Sequence, residues 1–373
     1  MEESMNKKTL IIAGSSIIGF FIVILVVVWV ISLFKPNFLS YEKVEEKIVK
    51  ATEKYYKDNP TLLPIYDGEY SILYGTLVSS SYIEPLNEIL EDADKCTVSI
   101  SVIKYAENYS YIPYLNCPGS YETKELYRTI TDNVVTVTSG SALYRSDAGT
   151  LYYKGEVTNN YVVLGINEDE KNVLWRIVSI NSDNSIKIIR TESTEDKYTW
   201  DNRYNVDKGS TSGYNDFEVS RLKDTLKSFE TNNIILPDTL KSKLVAKNWC
   251  VGKREINVED NSGNTECSVL SADSLLFGAL AVYEYTRASL DENCAKVTDR
   301  SCSNYNYLSS FLNNSWFLTG VAENTHKVYS YNTNLISDST ASNDKKLMIV
   351  THLSNKVFYK SGNGTLTDPY IIK

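Results

Sequence analysis

Two histidines, six cysteines and one Trp-Asp-Asn triplet are the residues of this 373-residue chain whose types and spacing could do chemistry. Hydrolytic triads need a positioned base, usually histidine. His326 stands in Asn-Thr-His-Lys and His352 in Val-Thr-His-Leu, and neither has a nucleophile motif beside it. Both are read as structural or surface histidines, not catalytic ones. Glycoside hydrolysis needs two carboxylates at a set distance in space, which spacing in sequence does not reveal. Here acidic residues fall mostly in solvated clusters such as Glu91-Asp92-Ala93-Asp94. No P-loop or dinucleotide-binding G-x-G-x-x-G is present. Asn181 to Ser185 has the amide and acidic residues of a calcium loop without the rest of the twelve-residue pattern. The residues therefore name no catalytic group, metal ligand or cofactor.

The cysteines carry the firmest signal. Cys96, Cys117, Cys250, Cys267, Cys294 and Cys302 form three pairs of sequential neighbours, with no C-x-x-C and no nearby histidine to complete a zinc site. Thr97–Tyr105 alternates as a strand, Tyr109–Leu115 reads as a second, and Ala106-Glu107-Asn108 breaks them. A hairpin closed at that break sets Cys96 opposite Cys117, and opposed antiparallel residues lie within disulfide reach. Proximity pairs Cys250 with Cys267 and Cys294 with Cys302, a Cys267–Cys294 crossing being the alternative. Disulfides persist outside the reducing cytosol, which places residues 36–373 outside the cell.

Thr9 to Phe34 carries no charge and exceeds the roughly twenty apolar residues that cross a bilayer. It exits at Lys35-Pro36 with no small-residue cleavage pattern, so the expectation is an uncleaved transmembrane helix at 9–34. Residues 1–8 are then a cytoplasmic stub, and the protein is a single-pass membrane protein with an extracellular C-terminal part. Lys7 and Lys8 precede the span and Lys35, Lys43, Lys47 and Lys50 follow it, a count that favours a cytoplasmic C-terminal part. A large domain translocates largely regardless of charge, however, and the cysteines oppose that count. The net charge of −9 argues against a nucleic-acid surface.

The expected fold class is α+β. Ser40 is a candidate N-cap for a helix with Tyr41, Val44, Ile48, Ala51, Thr52 and Tyr55 at helical spacing, ending near Asn59-Pro60. A short helix near Thr76–Ser80 and the Cys96–Cys117 hairpin complete a unit at 36–126. The segments YEKVEEKIVKATEKYYKDNPTLLP, LVSSSYIEPL and YIPYLNCPGSYET, led by the apolar run, resemble the pilin-like modules of low-GC Gram-positive surface proteins over about residues 9–125. Gly14 and Gly19 lack the glutamate that follows a type IV prepilin leader, so the resemblance implies a permanently anchored protein.

Residues 127–373 are expected to form a larger β-rich mixed domain. Val134–Thr138, Thr150–Tyr153, Tyr161–Leu164, Leu174–Ile180 and Ile186–Arg190 read as strands, the last two joined by a turn at 181–185. Val219–Phe229 reads as an amphipathic helix, Leu270–Tyr285 as a buried helix and Leu347–Leu353 as a strand. The segments NNYVVLGINEDEKNVLWRIVSINSDNSIKIIR, YTWDN, CSVLSADSLLFGAL, NYNYLSSFLNNSWFLTG and SGNGTLTDPYIIK resemble an uncharacterised bacterial surface domain, itself similar to C-type-lectin-like or formylglycine-generating-enzyme-like folds. A lectin-like fold implies comparison of Trp200, Asp201 and Asn202 with a calcium-binding Trp-Asn-Asp, although the order differs and the Glu-Pro-Asn partner is missing. Calcium is the one cofactor this resemblance admits. Trp200, Asp201, Asn202 and Trp316 are the candidate ligand contacts, served by the polar loops Thr191–Gly213 and Asn324–Asp344. The functional expectation is a membrane-anchored, non-catalytic adhesion or recognition module that meets a glycan or protein outside. An extracellular enzyme acting on glycans, or a part of a pilus-like or secretion assembly, are the alternatives.

Overall fold

The computed structural model describes residues 38–105, 107–167 and 169–373. The stub at 1–8 and the apolar segment 9–34 lie outside these residues. Among the described residues no helix is long and apolar enough to cross a membrane. The longest, Tyr41–Asp58, carries charge on every turn, from Glu42 and Lys43 to Lys57 and Asp58. The expectation of a transmembrane helix and a single-pass membrane location is thus corrected among the described residues: none of their helices spans a membrane, and the three disulfides fit the cell exterior. Strand also outweighs helix, so the expected α+β class gives way to a mostly β fold. The chain divides into two compact units at Glu122–Thr123.

In the first unit, helix α1 (Tyr41–Asp58) starts where Ser40 Oγ accepts from Lys43 N at 3.4 Å. Val44, Ile48, Ala51, Thr52 and Tyr56 are its buried stripe. Tyr55, expected on this stripe, packs against the core partly buried, and the i+4 ridge from Ile48 through Thr52 adds the buried Tyr56. Its ring stacks on Tyr111 at 5.7 Å. Strand β1 (Gly68–Ile72), helix α2 (Tyr74–Ser79) and strands β2 (Thr97–Tyr105), β3 (Asn108–Cys117) and β4 (Tyr121–Glu122) follow. The sheet runs β1-β2-β3-β4. The β2–β3 ladder runs from Thr97↔Asn116 to Tyr105↔Asn108, and Cys96 bonds Cys117 just beyond it with Cα atoms 4.2 Å apart.

The second unit opens with helix α3 (Leu126–Asn133), which the sequence reading missed. The expected strand Val134–Thr138 follows it, and only Thr136 makes a bridge there, to Leu143. Its β-branched residues suit a strand, but beside β5 it adds only the bond from Val137 N to Leu143 O at 2.9 Å and forms no ladder. Strands β5 (Ala142–Arg145), β6 (Leu151–Lys154), β7 (Tyr161–Ile166), β8 (Asn172–Ile180) and β9 (Ile186–Arg190) belong to a seven-stranded antiparallel sheet. Strand β10 (Tyr198–Thr199) lies outside it. Helix α4 (Arg221–Thr231) begins at an Ser220 cap and buries Leu222, Leu226 and Phe229, leaving Val219 outside it and exposed.

Leu270–Tyr285 is not one helix. It contains strand β11 (Phe277–Gly278), and helix α5 spans only Val282–Ala288. A short apolar run suits a buried strand as well as a helix. Here Gly278 decides: a Cβ on it would meet the Trp249 ring at 2.6 Å, so the chain passes flat against that indole. Strands β12 (Ser315–Gly320), β13 (Lys327–Asn332) and β14 (Leu335–Thr340) form a second sheet, β15 (Asp344–Lys345) pairs with β10, and β16 (Val350–Leu353) joins β9 to β11 in the large sheet. Strands β17 (Tyr359–Ser361) and β18 (Ile371–Ile372) end the fold. Cys250 bonds Cys267 and Cys294 bonds Cys302, without the crossing. One residue before Cys267, the fully buried Glu266 pairs with Arg254 at 3.1 Å, and burial raises its pKa against the pull of that guanidinium.

The signature segments of this unit converge on one buried guanidinium. Arg176, from LWRI, donates to Asn160 Oδ1 of NNYV through Nε at 2.9 Å and Nη2 at 2.6 Å. It also donates to the carbonyls of Val157 at 2.5 Å and Tyr307 at 3.4 Å. The rings of Tyr161 and Tyr307 stand 4.4 and 4.7 Å from it. The terminal segment closes the other side of β7: Tyr161 N donates to Gly364 O at 2.7 Å and Tyr370 N to Tyr161 O at 2.9 Å. Gly364 has φ +81°, and a Cβ there would lie 2.4 Å from the Tyr370 ring. These motifs are architecture.

Candidate recognition surface

The candidate contact residues divide sharply by burial. Trp200 is fully buried and its indole N–H donates to Phe317 O at 3.1 Å. Trp316 is buried as well and donates to Tyr198 O at 2.8 Å, with Lys345 Nζ 5.5 Å above its ring. The two tryptophans lock β10 to β12. They form a platform under a loop, not a ligand surface. Asp201 is also fully buried: Oδ1 accepts from Arg203 Nε at 2.9 Å and Oδ2 from Tyr214 N at 2.7 Å. A carboxylate held by a guanidinium and a backbone N–H suits an anchor and opposes a cation there. Of the four candidates, Asn202 is the exposed one. Among the described residues no group of three or more His, Cys, Asp or Glu could hold a metal ion.

What the tryptophans carry is a braced loop. Gly213 has φ +75°, and a Cβ on it would lie 2.0 Å from Asp201 O, so only glycine lets residues 201–213 close on themselves. Asn205, fully buried, donates to Gly213 O at 2.7 Å and to Thr325 Oγ1 at 3.3 Å, and its Oδ1 accepts from Asp207 N at 3.0 Å. Asn215 donates to the carbonyls of Val321 at 2.7 Å and Lys327 at 2.8 Å, and to that of Asn324. Its own N–H reaches Thr325 O at 2.9 Å, and Asp201 N reaches Ala341 O at 2.9 Å. The expected polar loop Thr191–Gly213 thus meets the segment Asn324–Asp344, which is not the expected loop but mostly the β13–β14 hairpin, and buried amides tie the two.

Between these ties the loop pushes apolar side chains outward. Tyr204 is 60% and Val206 72% exposed. Val206 N is held by Tyr214 OH at 2.9 Å, so the backbone beneath the tip is fixed. Arg203 is partly exposed and Lys208 exposed beside them. His326, half-buried, has its pKa lowered by burial and by the charges of Lys208 and Lys327. Sequence reading missed Tyr204 and Val206 because alternation inside an irregular loop carries no periodic signal. It missed Asn205 and Asn215 because buried amides look like ordinary loop residues.

His352 lies elsewhere, on β16 opposite Lys187 of β9. It is buried with its ring 5.0 Å from Trp249, and Nδ1 has no hydrogen-bond partner among the described residues. Lys187 pairs with the buried Glu284 at 2.6 Å and stands 5.2 Å from the Trp249 ring, while Lys247 pairs with Asp183. No family model, curated protein or solved structure matches this chain.

Proposed function

We propose that this protein is a disulfide-stabilised, non-catalytic recognition module of the cell exterior, whose contacts are made by the Asp201–Asn215 loop of its second unit. The observation that carries this reading is the pairing of a braced base with an apolar tip: Tyr204 and Val206 stay exposed while Asp201, Asn205 and Asn215 are buried and hydrogen-bonded beneath them. A pre-fixed loop loses little entropy on binding, and an exposed aromatic beside an aliphatic group is the usual core of a protein contact. Arg203 and Lys208 supply a cationic rim. These features favour a protein partner over a glycan, and three disulfides fit an oxidising environment.

The test is binding of the full chain to arrays of extracellular proteins and of glycans, with calcium and with chelator. The expected result is binding to protein features, unchanged by chelation, with every arrayed glycan left intact. Strict calcium dependence, or release of glycan fragments, would contradict the proposal.

A further inference from the structure

The first unit exposes a second, unrelated surface. Between Leu62 and Leu73 the chain leaves Leu62, Ile65, Tyr66, Tyr70 and Leu73 exposed, five large apolar side chains within twelve residues. Strand β1 lies in this segment and is the edge of its sheet: among the described residues it pairs with β2 alone. Gly68, Glu69, Tyr70 and Ser71 are all exposed. Edge strands are usually guarded by lysine, proline or a bulge. Gly-Glu-Tyr-Ser-Ile has neither lysine nor proline, its ladder to β2 is regular, and Glu69 is its one charged side chain.

We propose that β1 is a self-association edge, on which a second copy of this chain adds its own β1 antiparallel about a two-fold axis through Tyr70. Such a contact is isologous and closes at two copies. The choice of occupant rests on complementarity in this register. Centring on Tyr70 sets Glu69 opposite Ser71 of the second copy, and the two-fold repeats that pair. Ser101 Oγ already donates to Glu69 Oε1 at 2.8 Å, so the facing serine extends a row of hydroxyl donors to the same carboxylate. Asp67, tied to Lys104 at 3.2 Å, faces Leu73 and no second acid. Centring one residue earlier would instead oppose Glu69 to itself, which is destabilising. Ile65, Tyr66 and Leu73 flank the strand and supply apolar cover.

Opposed antiparallel residues have Cα atoms about 4.5–5.5 Å apart, within disulfide range. A Tyr70→Cys variant of the full chain should therefore form a covalent dimer through residue 70 under mild oxidation, at least tenfold faster than a Tyr204→Cys control. In sedimentation equilibrium, Ser71→Glu should raise the dimer dissociation constant at least tenfold, by setting glutamate against glutamate. Adding Glu69→Lys to it should restore the dimer, with lysine now facing glutamate. A monomer at all concentrations, a dimer indifferent to Ser71→Glu, or residue-70 crosslinking no faster than the control would each overturn the proposal. So would capture of a different protein by β1 with no self-pairing.

Discussion

Replacing Arg176 by methionine is expected to destabilise the second unit by about 3–5 kcal/mol. The substitution keeps much of the volume but removes donors from Asn160 Oδ1, Val157 O and Tyr307 O, all of them inside the fold. Each buried acceptor left unpaired costs about 1–3 kcal/mol. The sum is offset in part because a charge is no longer buried, a burial that already lowers the pKa of Arg176. Among the described residues no carboxylate pairs with this guanidinium, so no opposite charge is stranded by its loss. Arg176→Lys should be nearly as damaging, since an ammonium cannot fork to Asn160 and the two carbonyls or lie flat between Tyr161 and Tyr307. Denaturant unfolding checks this through the midpoint at unchanged slope. A loss under about 1 kcal/mol would mean that the signature segments are held by something else.

The second large effect is acid sensitivity from His352. Burial, reinforced by Lys187 and Lys247, holds its pKa well below the ordinary 6.5, with Asp183 pulling weakly the other way. The sign follows. Below about pH 6.5 the unfolded chain binds a proton at this residue that the folded chain refuses, so stability is full above that pH and falls as pH drops toward the folded pKa. The slope is about 1.4 kcal/mol per pH unit for one proton, or roughly 2 kcal/mol between pH 6.5 and 5. The charged groups facing it are Lys187, Lys247, Asp183 and Glu284. Burial pushes the Asp183 pKa up, but hydrogen bonds from Lys247 and Ser185 prevail and bring it down to about 2, so it stays ionised throughout this window. His352→Phe, which keeps an aromatic ring against Trp249, should flatten the profile between pH 7 and 5. An equal slope in both proteins would remove His352 from the account.

What the sequence made legible follows from local physics. The Ser40 cap, the Cys96–Cys117 hairpin, the β8–β9 turn and the β9 strand each depend on neighbours in sequence, and each stands where expected. Proximity also paired the other four cysteines correctly. The errors came where tertiary contacts decide. Val134–Thr138 had strand composition but meets β5 only at Leu143, through Thr136 and Val137, and Leu270–Tyr285 passes Gly278 flat against Trp249. Trp200, Asp201 and Trp316 illustrate the same limit at the candidate site. Tryptophan and aspartate read equally well as ligand contacts or as buried anchors, and only the carbonyls of Phe317 and Tyr198 and the guanidinium of Arg203 separate the two. The loop at Thr191–Gly213 was legible as a place, but Asn324–Asp344, read as a second loop, is mostly the β13–β14 hairpin. The residues proposed to make contact were not legible, because Tyr204 and Val206 are singled out by exposure on a held backbone, which no spacing encodes.

The claim that contact is made at the braced tip is tested most directly by a Tyr204→Ser/Val206→Ser double variant compared with the native chain on the same protein array. Both side chains point to solvent, so the variant should unfold at the same denaturant midpoint. Its binding to every protein the native chain captures should fall at least tenfold, as loss of an aromatic anchor does. Native affinity in a correctly folded double variant would contradict the account.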